Sequence, residues 1–68
     1  MEEDWVKIHS SSDRFRIQFI RSLLKEHGIE AVILDQKDSF YTSLGELHLY
    51  VQRDDAMRAR TIISKQDL

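Results

Sequence analysis

Cysteine and proline are both missing from this 68-residue chain, and glycine occurs only twice, at Gly28 and Gly45. Without thiols there is no disulfide, no iron–sulfur cluster and no thiolate zinc site. Two isolated glycines make no phosphate-cradling loop. No long apolar run exists either. The most continuous one, Ala31-Val32-Ile33-Leu34, is far too short to cross a bilayer. Neither sign of charge dominates: 10 basic residues against 12 acidic ones leave a net charge of -2, with no long-range pull toward nucleic acid or anionic lipid. The opening Met1-Glu2-Glu3-Asp4 has neither the basic start nor the apolar stretch of a secretory signal, so a cytoplasmic location is expected.

What is present suits a folded domain. A hydrophobic fraction of 41% beside a charged fraction of 32% argues against disorder along the whole chain. The length allows one core, so residues 1–68 are read as a single domain with an ordered part over about 5–64. Burial is thin at this size, and the stabiliser left open by the missing cysteines is a partner, often a second copy.

Val6 and Ile8 alternate with Lys7 and His9, which predicts a half-buried strand over 5–9. Ser10-Ser11-Ser12-Asp13 then stops the strand and supplies helix caps, with Ser10 and Asp13 at capping-box spacing. Ile17, Phe19, Ile20, Leu23 and Leu24 recur at helical spacing, predicting a helix over 14–27 that His27-Gly28 ends. Arg16 falls within that apolar arc, and Phe15 is placed over the helix entrance. Residues 30–35 read as a second strand with both faces at least partly covered, 36–45 as a polar loop, and 46–51 as a third strand with Leu47, Leu49 and Val51 on one side. Asp54 is the expected cap of a second helix whose inward stripe is Ala56, Ala59, Ile62 and Ile63.

Strand, helix, strand, strand, helix is the order of a two-layer α+β fold. A right-handed crossover makes the first two strands parallel, and the third fits between them. The expected architecture is therefore a ferredoxin-like βαββα layout lacking the final strand, with sheet order 1-3-2. Its helix-side core is predicted to hold Val6, Ile8, Ile17, Ile20, Leu24, Ile33, Leu47, Leu49, Val51, Ala59 and Ile63.

Two stretches carry a family resemblance. Leu23-Leu24-Lys25-Glu26-His27-Gly28-Ile29-Glu30-Ala31 resembles a helix ending of the form LLxxxGI that enters a strand. Leu47-His48-Leu49-Tyr50-Val51, followed by Asp54-Asp55-Ala56-Met57-Arg58-Ala59, resembles an LxV segment followed by (D/E)DxxxA. In order and spacing these are similar to the small bacterial domain called putative prokaryotic signal-transducing protein, over about residues 6–63. The resemblance implies a ferredoxin-like fold and a regulatory role linked to nitrogen-regulatory trimeric signalling proteins, and it offers no established catalytic set to carry over; no cofactor is expected. The loop of this chain keeps only Gly45 where relatives carry several glycines, which counts against a ligand role for it.

Strict alternation would put Trp5, Lys7, His9, His48 and Tyr50 on the sheet face away from the helices, joined by Val32 and Leu34. Apolar and aromatic surface left in water costs about 25 cal/mol per Å², so this face, together with the loop aromatics Phe40 and Tyr41, is the candidate protein-contact surface. The expected function is a non-catalytic association or regulatory module. It would pair with a second copy or another protein through the free edge of the first strand or through this face. The alternative is a small-molecule or anion sensor using the 36–45 loop and the 10–16 turn. Base stacking on Trp5 and Tyr50 ranks lower, because the basic groups are balanced by acids. The same alternation sets His9 beside His48, a pair that would repel when protonated and weaken association below about pH 6. With Asp35 or Glu46 as a third ligand the pair would suit a metal, although two imidazoles rarely suffice. Acid–base chemistry by His9 with Asp35 or Glu30 lacks a specified pocket. Ser39, Thr42 and Ser43 form no nucleophile elbow.

Overall fold

A computed structural model describes residues 4–35 and 46–66. Strand β1 (Trp5–Ser11) leads into helix α1 (Arg14–Glu26), then strands β2 (Ala31–Asp35) and β3 (Leu47–Gln52). A single 3-10 turn, Arg53–Asp55, precedes helix α2 (Ala56–Ser64). The sheet order is β1-β3-β2, with β3 antiparallel to both neighbours. This is the ferredoxin-like topology without its closing strand.

Local chemistry explains where α1 begins and ends. β1 runs on through Ser11, so the serines belong to the strand and its exit, and Asp13 is the cap. Its Oδ1 accepts from the Phe15 and Arg16 amides at 3.0 and 3.2 Å, satisfying two of the donors a helix start leaves open. Ser11 Oγ in turn accepts from the Asp13 amide at 3.0 Å. At the other end the Ile29 amide donates to Leu24 O at 2.9 Å and the Gly28 amide to Lys25 O at 3.0 Å. Gly28 sits at φ +80. These are the bonds of a Schellman ending, whose αL residue is most cheaply glycine and whose next residue packs back on the last turn. Ile29 and Leu24, the residues such a motif brings together, are both buried.

The second helix starts differently from expectation. Arg53–Asp55 makes a 3-10 turn, and Asp55, not Asp54, is the N-cap position, with no side-chain cap bond. Asp55 pairs instead with Arg58 at 3.7 Å.

The core lies between the helices and one sheet face. Ile17, Ile20 and Leu24 from α1 and Ala59 from α2 are buried with Leu47, Leu49 and Val51 of β3 and Ala31 of β2. Ile8, Ile33, Ala56, Ile62 and Ile63 pack around them. Alternation along β3 explains the choice: its odd-numbered residues share one face, and that face meets the helices. Val6 is only half-buried, whereas Ile29 is a core residue. Phe15 and Phe19 lie outside the core, at 86% and 51% exposure. At about 100° per residue Phe19 is turned well over 90° from the direction of Ile17, Ile20 and Leu24, so the narrow arc is the buried one.

Candidate protein-contact surface

The sheet's second face is built by the pairing of β3 with its neighbours. Trp5 lies opposite Gln52, and Lys7 opposite Tyr50, which is also opposite Val32. Ser10 lies opposite His48, which is also opposite Leu34. Directly opposed residues share a face, so Trp5, Lys7, Ser10, His48, Tyr50, Val32 and Leu34 stand together. Among the described residues no helix or strand covers this face, since α1 and α2 both pack on the other.

One expected member is missing. The β1–β3 register shifts between Lys7 and His9, leaving Ile8 as the extra residue of a β-bulge. A bulge lets two residues oppose one and reverses the phase of everything beyond it. His9 therefore pairs with Leu49 on the helix-covered side, and Ser10 takes the place expected for His9. The two histidines are on opposite faces. Neither a pH-sensitive histidine pair nor a two-imidazole metal arrangement is formed.

Each histidine has its own surroundings. His48 is buried, and a 2.8 Å hydrogen bond joins its Nδ1 to Ser10 Oγ. The bond ties β1 to β3 across the strand pair that the bulge has shifted. His9 keeps its Nε2 sealed from water with no partner among the described residues. Burial, and secondarily the positive Arg16, hold its pKa below the usual imidazole range.

The other expected sites fare unevenly. Asp35 stands on the helix side of β2 and pairs with Arg14 at 3.9 Å, away from His48. Among the described residues no three histidine or carboxylate groups gather to hold a metal. The Phe15 and Arg16 amides of the 10–16 turn are already taken by Asp13, so an anion there would compete with a carboxylate. Phe40, Tyr41 and the rest of the 36–45 loop lie outside the described residues. Trp5 and Tyr50 are half-buried, and among the described residues the strongly exposed large apolar ones are Phe15, Phe19 and Met57, on the helix layer. The expected core left both phenylalanines out, and both lie at the surface of α1. No described helix is long and apolar enough to cross a membrane.

Comparison with curated proteins and with solved structures gives no significant match. A family model described as "Putative prokaryotic signal transducing protein" matches residues 5–66. That span takes in every element from β1 to α2, and the chain belongs to this family.

Proposed function

We propose that this chain is a non-catalytic association module of a signalling system, and that it pairs with a second copy through the open face of its sheet. The observation that carries this reading is the one-sided layout: both helices cover the Leu47–Leu49–Val51 side, while Trp5, Tyr50, Val32 and Leu34 share the other. The family description, which speaks of signal transduction, supports a regulatory role. The edge of β1 is the weaker of the two surfaces. Its bulge at Ile8 interrupts the row of outward amides, a device that blunts edge strands.

Size sets the expected strength. Three strands about 4.8 Å apart and about 17 Å long present roughly 250 Å² in projection. Even with side-chain relief, two such faces bury an area at the low end for specific complexes. Association is therefore expected at micromolar concentrations and above. Sedimentation velocity from about 10 µM to 1 mM should show a rising weight-average coefficient. Trp5→Lys should suppress the rise and leave the circular dichroism spectrum unchanged. A monomer across the whole range, or a Trp5→Lys variant that assembles like the parent, overturns the reading.

A further inference from the structure

The sheet has a second edge, and it differs from the first. β2 pairs with β3 on one side in an unbroken register, without a bulge. On its other side no strand lies among the described residues. Four of its five residues, Ala31-Val32-Ile33-Leu34, carry neither charge nor proline, the devices that normally protect an edge, and the charge of the fifth, Asp35, is paired with Arg14. Alternate backbone amides and carbonyls of β2 thus point outward with regular spacing.

A groove of about 610 Å³ runs along this edge, lined by Arg21, Lys25, Glu30, Ala31, Val32 and Ile33 among others. Its size is in the range of ligand sites. The helix wall is cationic for a geometric reason. Arg14, Gln18, Arg21 and Lys25 fall within an arc of about 60° on the α1 wheel, about a quarter turn from the buried stripe. The Arg14–Asp35 pair and the lining of the groove show that this arc borders β2. From Arg14 to Lys25 the stripe is about 16 Å long, and the five residues of β2 span about the same length. Among the described residues neither Arg21 nor Lys25 forms an ion pair. The one acid in the lining, Glu30, stands just ahead of β2 and is outnumbered by the two cations.

We infer that this groove captures an extended peptide in which acidic and apolar residues alternate, added as a fourth strand to the edge of β2. The backbone supplies the ladder, and the alternation of the peptide matches the two sides of the edge. Residues opposite Ala31 and Ile33 are on the helix side, beneath Arg21 and Lys25, where carboxylates are favoured. Residues opposite Val32 and Leu34 fall on the open face and extend its apolar surface. A second copy is the poorer occupant. Pairing β2 with β2 would bring the Arg14–Arg21–Lys25 stripe of one α1 against its symmetry mate, cation facing cation.

The test uses the whole chain and an acetylated, amidated peptide of three glutamate–valine pairs in alternation. Titrated into isotopically labelled protein at low micromolar concentration, it should shift the amides of Ala31 to Asp35 and those around Arg21 and Lys25. The R21Q/K25Q double variant should bind about tenfold more weakly, and raised salt should weaken the parent. Methylating the peptide nitrogens on all glutamates or on all valines should abolish binding in one case and spare it in the other, because only one set faces β2. That readout leaves the protein untouched. Several results overturn the inference. These are no shifts on β2, shifts on β1 or the open face instead, equal binding of a block peptide of the same composition or of a lysine–valine peptide, or indifference to both methylation patterns. Concentration-dependent shifts of β2 without peptide would make a second copy the occupant and overturn it too. Assembly through the open face is read separately, by sedimentation without peptide.

Discussion

Replacing His9 with leucine should stabilise the protein, and by more in mild acid than at neutral pH. His9 faces the helix layer opposite Leu49, with its Nε2 shut off from water and unpartnered among the described residues. A buried polar atom left without a hydrogen bond costs about 1–3 kcal/mol. The residue as a whole is only half-buried, so the low end applies, about 1 kcal/mol at pH 7.5. For a domain of this size that gain raises the melting midpoint by about 4–8 °C.

The acid part comes from the direction of the pKa. Burial first, and Arg16 second, lower the folded-state pKa of His9 below 6.5. In the unfolded chain both influences are lost and the ring titrates near 6.5. Above that value the ring is neutral in both states and its contribution is fully present. As the pH falls below about 6.5 toward the folded pKa, the unfolded chain takes up a proton that the folded protein refuses, and stability drops. His9→Leu lacks this term, and every other titratable group is common to the two proteins. Urea unfolding at pH 7.5 and pH 5 should therefore show the gap between variant and parent widening in acid. A gap that stays constant, or a variant less stable at pH 7.5, refutes the placement of His9. Arg16→Gln should reduce the acid loss of the parent without removing it, because burial is the larger cause.

Other elements give simpler expectations. Leu49→Ala empties a fully buried site at the centre of β3 and should cost about 3–4 kcal/mol, most of the stability expected of a small domain, so a shallow or absent urea transition is the readout. Asp13→Ala removes the acceptor for two helix-start amides and should cost about 1 kcal/mol, measured by the same unfolding curves. Gly28→Ala should cost about 1 kcal/mol from its left-handed backbone alone, since no heavy atom lies within 4 Å of the added carbon. Asn at that position should recover part of the loss, which a steric clash would not allow.

The elements and their order are legible because hydrophobic period is a strong signal in this chain. Leu47, Leu49 and Val51 alternate without interruption, and the structure buries all three. Sheet order comes from handedness and the length of the connections. The Gly28 ending is legible too, and Ile29, absent from the expected core, is the apolar residue that packs after such a glycine. The bulge is hidden. Val6-Lys7-Ile8-His9 alternates as a regular strand would, with no glycine to mark a break. Only pairing with β3 reveals that Ile8 is extra, and that pairing is a property of two strands more than 35 positions apart. The candidate site loses His9 for this reason, while its other strand members keep their face. Phe19, grouped with the apolar arc of α1 but not with the expected core, is exposed for a different reason: an arc wide enough to include it takes in Arg16 as well, and that awkward neighbour is the signal that the buried stripe is narrower.

The bulge also divides labour between the two edges of the sheet. Among the described residues, this three-stranded antiparallel sheet with one helix-covered face has two unpaired edges, which are adhesive, and one face with no helix or strand over it. In β1 an inserted residue breaks the outward ladder, and the phase change sends His9 inward, where a nitrogen with no partner among the described residues is a standing cost. The next residue offsets that cost: Ser10 reaches the open face in position to hold His48, the buried polar residue of the central strand. In β2 the ladder is unbroken, and protection comes instead from charge, since the cationic stripe of α1 repels a copy of itself while leaving the edge open to an acidic strand. The same chain thereby discourages uncontrolled edge-to-edge growth by two unlike means, backbone geometry at one side and electrostatics at the other. Only the second of these can be satisfied by a partner of suitable charge, which is why the proposed capture of an acidic strand is assigned to β2 and the proposed pairing of copies to the face between the edges.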